Sequence, residues 1–237
     1  MIIRDRFYID GAWVTPVGTG TLEVIDASTE EVMGRVPDGV EADANRAVEA
    51  AAHAFETWGQ TSAPERRALL MKLREGLTAR VDELGEIMAG EVGMPLAMSK
   101  NIQAGLPLVS IDNFIKILAD YQFEERIENS LVVKEPVGVV AAITPWNYPL
   151  HQIMAKVCPA LAAGCTVIVK PSEVAPLAAF VLAEEVHRAG FPPGVFNLIT
   201  GVGPVAGEAL ARHPDVDMVS FTGSTRAGKR VAELASQ

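Results

Sequence analysis

The sequence predicts an α/β fold: a doubly wound, Rossmann-like parallel sheet preceded by a helical block and a small antiparallel N-terminal layer. Two observations point there. Beyond residue 130, four near-continuous apolar runs, Val137 to Ile143, Thr166 to Val169, Val195 to Ile199 and Val216 to Phe221, alternate with helix-period segments. Such runs mark strands buried on both faces of a parallel sheet. Two of them close on polar, Pro-stiffened corners, Thr144-Pro-Trp-Asn-Tyr-Pro-Leu150 and Lys170-Pro-Ser-Glu173. These lie at carboxyl ends of strands, where open α/β sheets bind their ligands.

The elements follow in order. Arg6 to Val14, Thr21 to Ile25 and Glu31 to Val36 read as strands of the antiparallel layer, with Asp10-Gly11 as a turn and Pro37-Asp38-Gly39 as its end. Ala44, Ala47, Val48, Ala51, Phe55 and Trp58 recur at spacings of three and four, the stripe of an amphipathic helix. Pro64 opens a second helix carrying Leu69, Leu70, Leu73 and Leu77. Gly93-Met-Pro95 interrupts, and a long helix runs on to about Glu125. Between the later strands, helices are expected at 149–163, 174–189 and 204–212; in the first, Leu150, Ile153, Met154, Val157 and Leu161 form one stripe. Residues 1–130 thus read as N-terminal strands and a helical block, and 131–237 as an incomplete set of Rossmann-like strands and helices. A final helix opens at Ser224 with no return strand after it, and four parallel strands make a small sheet. That reads either as a shortened polypeptide or as a natural minimal form.

Composition narrows the function classes. With 49% apolar and 21% charged residues and a formal charge of −10, the chain reads as globular, without general attraction to nucleic acid or anionic membranes. Charges in Met1-Ile-Ile-Arg-Asp-Arg6 fall where a signal peptide needs an apolar core, and no apolar run approaches membrane-spanning length, so a cytoplasmic location is the default expectation. Cys158 and Cys165 are too few for a disulfide framework and lack metal-ligand spacing.

The motifs each carry two readings. Gly201-Val-Gly-Pro-Val-Ala-Gly207 resembles a dinucleotide fingerprint, but it is one residue too long and follows the third strand rather than the first; a tight turn is as good a reading. Gly223-Ser-Thr-Arg-Ala-Gly-Lys-Arg230 misses the triphosphatase loop because Arg230 stands where a magnesium-binding hydroxyl is needed. What survives is a glycine corner with free amides at a helix start, which suits a phosphate of any kind, and Ser224 adds a hydroxyl. Glu173 could accept both ribose hydroxyls of an adenosine and would repel a 2′-phosphate, favouring NAD over NADP. Equally, Ser172 could be a helix N-cap with Glu173 in the first turn. Asn147 is either an oxyanion donor or the cap of the helix near Pro149. Cys165 sits at the wrong end of its strand and Cys158 lies inside a helix, so both read as buried packing. His53, His151, His187 and His213 form no triad pattern.

Taken with Glu135-Pro-Val-Gly138, Pro159-Ala-Leu-Ala-Ala-Gly164, Gly190-Phe-Pro-Pro-Gly-Val-Phe-Asn197 and Phe221-Thr-Gly-Ser-Thr225, these corners resemble the NAD(P)-dependent aldehyde dehydrogenase superfamily in order and spacing, over essentially the whole chain. The resemblance implies oxidation of an aldehyde to a carboxylic acid through a cysteine thiohemiacetal, with Asn147 as oxyanion donor. It assigns Lys170 and Glu173 to the adenosine ribose, Ser224 with Trp146 to the pyrophosphate, and Gly203 and Gly207 to the adenine side. Ile143, Thr144, Pro145, Ser172, Phe221, Thr222 and Gly223 complete the implied cofactor set. It also implies that the general base, a Glu in a Leu-Gly-Gly corner, and the nucleophilic Cys lie beyond Gln237, with the catalytic domain and a strand used in homo-oligomer association. The 237 residues alone are then expected to be inactive; the alternative is a non-catalytic NAD-binding or partner-binding module.

Overall fold

The computed structural model describes all 237 residues. Its N-terminal strands are β1 (Ile2–Ile3), β2 (Phe7–Ile9), β3 (Ala12–Val14), β4 (Gly20–Ile25) and β5 (Val32–Asp38). They do not form the single antiparallel layer expected. β1, β5 and β4 make a three-stranded sheet in which β1 runs parallel to β5, whereas the β2–β3 hairpin joins the principal sheet. The physical reason is burial. Phe7, Tyr8 and Ile9 are all inaccessible, Phe7 and Ile9 in one apolar cluster and Tyr8 in the other, so β2 needs cover on both faces.

The helical block comprises α1 (Glu41–Trp58), α2 (Ala63–Ala79), α3 (Val81–Val92), the single turn α4 (Leu96–Met98) and α5 (Gly105–Asp120). A π-helical turn, Ser99–Gln103, links the last two. α2 starts where sequence chemistry says it should: Ser62 and Glu65 form a reciprocal capping box. The long helix ends at Asp120, short of the expected Glu125. An unforeseen exposed hairpin follows, β6 (Glu124–Ile127) with β7 (Ser130–Val133). Solvent on both faces leaves such strands without the alternation that would reveal them. The helical stretch Leu96–Asp120 is, contrary to expectation, long and apolar enough by length and composition alone to cross a membrane. Its Pro107, Ile111, Ile115 and Leu118 are buried, and α5 packs on α2 and on the helix that opens at Pro149.

The principal sheet has the order β11-β8-β9-β10-β2-β3. Its parallel members are β8 (Val139–Ile143), β9 (Thr166–Lys170), β10 (Phe196–Leu198) and β11 (Met218–Phe221), joined through α6 (Pro149–Ala163), α7 (Leu177–Ala189) and α8 (Glu208–Ala211), with α9 (Thr225–Ala235) last. α6 and α7 belong to a core cluster of 41 residues; α1 and α8 cover the opposite face in a cluster of 13. The strands divide accordingly. Val140 and Ala142 point to the larger cluster, Val139 and Ala141 to the smaller. This is the doubly wound pattern. After β10 the chain crosses back to place β11 beside β8, so the strand order reverses between β8 and β11 and opens a crevice at their carboxyl ends.

Two connections differ from expectation. The helix predicted from 174 begins at Leu177, because Pro171 and Pro176 keep the preceding segment in turns. The one predicted at 204–212 is a π-helical turn, Gly203–Gly207, followed by the short α8.

Candidate functional site

Strand register builds the site. Ile143 pairs with Phe221 on one side and with Lys170 on the other, so three strands end level with one another. Backbone bonds extend the alignment: Thr144 N–H donates to the Lys170 carbonyl (3.2 Å) and Thr222 N–H to the Ile143 carbonyl (3.1 Å). The corners beyond these ends wall a cleft of about 610 Å³. Every residue singled out from the sequence except Gly207 lines it: Ile143, Thr144, Pro145, Trp146, Asn147, Lys170, Ser172, Glu173, Gly203, Phe221, Thr222, Gly223 and Ser224. Gly207 lines an adjoining cavity of about 560 Å³ that shares Ile143, Glu173, Gly203 and Phe221. Both are of the size that holds a small molecule or cofactor.

Lys170 is buried at the cleft floor. Its Nζ donates to the carbonyls of Pro171 (2.7 Å) and Gly201 (2.8 Å) and lies 3.6 Å from Glu173 Oε2. Burial pushes its pKa below that of an ordinary lysine, with Glu173 opposing the shift. The Gly201 carbonyl reaches Nζ from a backbone at φ 150°, where a Cβ would meet Ala206 Cβ at 2.8 Å; only glycine fits. Ser172 does not cap α7. Its hydroxyl accepts from Val174 N–H (3.3 Å) in a local turn, which leaves Glu173 half-exposed at the cleft rim.

Across the crevice, Ser224 caps α9, accepting from Ala227 N–H (3.2 Å). The first turn of α9 thus points its remaining amides at the cleft, an arrangement suited to an anion. Gly223 permits the tight approach before it, since a Cβ there would stand 2.5 Å from the Phe221 ring. Arg230, which spoils the triphosphatase loop, is a clasp instead, donating to Glu208 (3.1 and 2.8 Å) and Glu233 (3.0 Å) and tying α9 to α8.

Asn147 sits between Trp146, which is 51% exposed, and Tyr148. Tyr148 is the N-cap residue of α6 and makes no side-chain cap bond, so Asn147 is not the cap. Its side-chain amide is exposed and bonded to nothing within the chain, while its carbonyl accepts from Gln103 Nε2 at 3.0 Å. Thr144 Oγ1 is buried without a partner.

Sequence reasoning missed Gln152 and Ala227 in the cleft, and Lys156 beside it. Lys156 projects from α6 and donates to Thr222 Oγ1 at 2.6 Å; partial burial lowers its pKa. A lone lysine in an apolar helix carries no motif, although a charge next to that apolar stripe was the available signal. Neither cysteine reaches the cleft. Cys158 is enclosed in α6, with its thiol pKa driven up by burial, and Cys165 precedes β9 at the opposite end of the sheet.

Residues 13–237 match the model of the Aldehyde dehydrogenase family. The chain belongs to that family. A 3-succinoylsemialdehyde-pyridine dehydrogenase from a Pseudomonas species is 48% identical over 242 aligned positions, covering 99% of this chain and 50% of the relative. Among solved aldehyde dehydrogenases, a mutant of aldehyde dehydrogenase C from Pseudomonas syringae, in complex with NAD+ and octanal, superimposes with a TM-score of 0.97 at 45% identity, over 98% of this chain and 48% of that one. Betaine aldehyde dehydrogenase from Staphylococcus aureus, in complex with NAD+, gives 0.94 at 36% identity, over 98% and 48%. The chain therefore spans about half the length of the aldehyde dehydrogenases it matches.

Proposed function

We propose that this chain forms the cofactor-binding half of an NAD-dependent aldehyde dehydrogenase that oxidises an aldehyde to a carboxylic acid. The observation that carries the reading is the level ending of β8, β9 and β11, which brings Asn147, Lys170, Glu173 and the first turn of α9 around one cleft. NAD fits the donors present. The free amides of α9 with Ser224 would take the pyrophosphate, Glu173 with Lys170 the adenosine ribose, and the Gly203–Gly207 turn the adenine side. When bound, NAD supplies the hydride acceptor.

The chain's own part in the chemistry is positional and electrostatic. Asn147, whose side chain is uncommitted, would donate its amide to the oxygen of the tetrahedral adduct formed when a thiolate attacks the aldehyde; one such donor contributes about 2.7–4 kcal/mol in a transition state. The reading prefers NAD to NADP because the half-exposed Glu173 carboxylate would repel a 2′-phosphate. Neither cysteine in these residues is placed to be the thiolate, so the 237 residues by themselves should not turn over.

Calorimetric titration of NAD tests the reading. Saturable binding, weakened by both Glu173→Ala and Ser224→Ala and exceeding that of NADP, is the expected result; no saturation would sink it. NADH absorbance with a panel of aldehydes tests inactivity, and sustained turnover by the 237 residues would refute it. The second reading, a non-catalytic NAD-binding module, is favoured by the burial of both cysteines away from the cleft. Full-length protein that binds NAD yet oxidises no aldehyde would select it.

A further inference from the structure

A buried amide stands behind Asn147. In the segment from Ser99 to Leu118 the buried residues are Ser99, Gln103, Ala104, Pro107, Ile111, Ile115 and Leu118, and Gln103 is the only long polar side chain among them. Ser99 is locally satisfied, its hydroxyl donating to the Gly85 carbonyl at 2.7 Å. Gln103 is 0% exposed, yet only half satisfied. Its Nε2 donates to the Asn147 carbonyl (3.0 Å), while its Oε1 is buried with no partner. That donor direction also fixes the amide's orientation, because a flip would set oxygen against oxygen.

An apolar residue at this place would avoid the cost of an orphaned acceptor. Burying an amide that gives one hydrogen bond, to the backbone of one residue 44 positions away, calls for a reason at the other end of that bond. The local backbone points the same way. Ala104 N–H donates to the Ser99 carbonyl (3.0 Å), so the turn ending at Gln103 is a π-turn, a wider winding that recurs at functional sites and re-aims the side chains that follow.

The Asn147 corner needs such a restraint. Pro145 and Pro149 fix the chain on either side and hold Tyr148 outside the helical region, at φ −135° and ψ 65°. Between the two prolines, the peptide joining Asn147 to Tyr148 is free to rotate unless something holds its carbonyl. Holding that carbonyl fixes ψ of Asn147 together with φ of Tyr148 and pins the corner, with the Asn147 Cα and the side chain it carries, against the helical block.

We propose that Gln103 is a positioning residue for the oxyanion donor: it clamps the Asn147 carbonyl so that the Asn147 side chain faces the cleft. This rests on the reading of Asn147 under the proposed function, and the test separates the two. Replace the three tryptophans, Trp13, Trp58 and Trp146, by 5-fluorotryptophan and record 19F spectra of the wild type and of Gln103→Leu, which keeps the volume and removes the donor. The Trp146 resonance is expected to shift or broaden, while those of Trp13 and Trp58 stay in place and the melting temperature holds or rises. In the full-length protein expressed from its gene, Gln103→Leu should lower kcat at least tenfold with KM for NAD unchanged. Gln103→Glu should recover the wild-type Trp146 signal at low pH, where the buried carboxyl is protonated and can donate. An unmoved Trp146 signal with kcat within twofold of wild type overturns the inference. So does movement of all three indoles together with a fall in melting temperature, which marks a merely structural role. Asn147→Ala is the control: if it retains full turnover, the oxyanion reading fails, whereas its loss of turnover beside a fully active Gln103→Leu removes the clamp alone.

Discussion

Lys170 and Glu173 are three residues apart and form an ion pair with Nζ 3.6 Å from Oε2, but they occupy opposite environments: the lysine is 2% exposed and the glutamate 42%. The ammonium is committed to the carbonyls of Pro171 and Gly201, and the carboxylate is open to solvent at the cleft rim. Their replacements should therefore separate stability from binding. Lys170→Met leaves two buried carbonyls without that donor and should cost about 1–3 kcal/mol in urea denaturation. Glu173→Ala should change stability by no more than about 0.5 kcal/mol while weakening NAD by roughly tenfold. Equal losses of stability would show that Glu173 is structural.

Asn147→Ala should leave the melting temperature within error, since the side chain bonds to nothing in the chain. In full-length protein it should cost about 10²–10³ in kcat. A stability loss without a kinetic one would show the amide to be scaffolding.

Ser224→Ala should do both. Loss of the N-cap to Ala227 should cost roughly 1 kcal/mol, and NAD affinity should fall with it. Ser224→Asp restores a cap but brings a negative charge towards the expected phosphates. It should regain the stability and not the affinity, as thermal melts and titration calorimetry would show together.

Glu91 supplies a pH test remote from the cleft. Fully enclosed, its carboxylate accepts from Leu177 N–H (2.6 Å) at the start of α7, and burial raises its pKa to about 8. The unfolded carboxyl ionises near 4.5, so between those values the folded state holds a proton that the unfolded state has released. Its contribution is then complete below about pH 4.5 and is lost as pH climbs towards 8. Glu91→Gln keeps the acceptor and removes the titration. Its stability relative to wild type, from urea midpoints, should rise between pH 5 and pH 8 by on the order of a few kcal/mol. Parallel profiles would be the contrary result.

The exposed β6–β7 hairpin leaves Ile127, Leu131, Val132 and Val133 in solvent, and a lone two-stranded ribbon is marginal in water. If full-length protein associates through it, Leu131→Asp with Val133→Asp should lower the sedimentation mass without unfolding the chain. An unchanged mass would place association elsewhere.

The parallel strands and their corners were legible because burial on both faces writes itself as an apolar run, and prolines and glycines punctuate the ends. The partnership of β2 with β10 was not. It rests on one long-range pairing, Leu198 with Tyr8, that no local pattern encodes, although three successive buried residues in β2 hinted at a two-sided strand. The β6–β7 hairpin escaped because exposed strands carry mixed residues. Gln103 and Lys156 escaped for another reason: each is a single polar group on an apolar helix, and its meaning lies in a partner that only the folded chain supplies.

The level ending of β8, β9 and β11 also determines which lengths of chain are free to vary. Insertions into the corners at 144–148, 171–176 or 222–224 would reshape what the cleft holds and leave the ladder intact. Deleting one residue within β8 would instead turn every following side chain to the wrong face and carry its corner out of line with both neighbours. In a lineage of such proteins, new ligand preferences are thus open to small changes of loop length, while the three strands must keep their residue count.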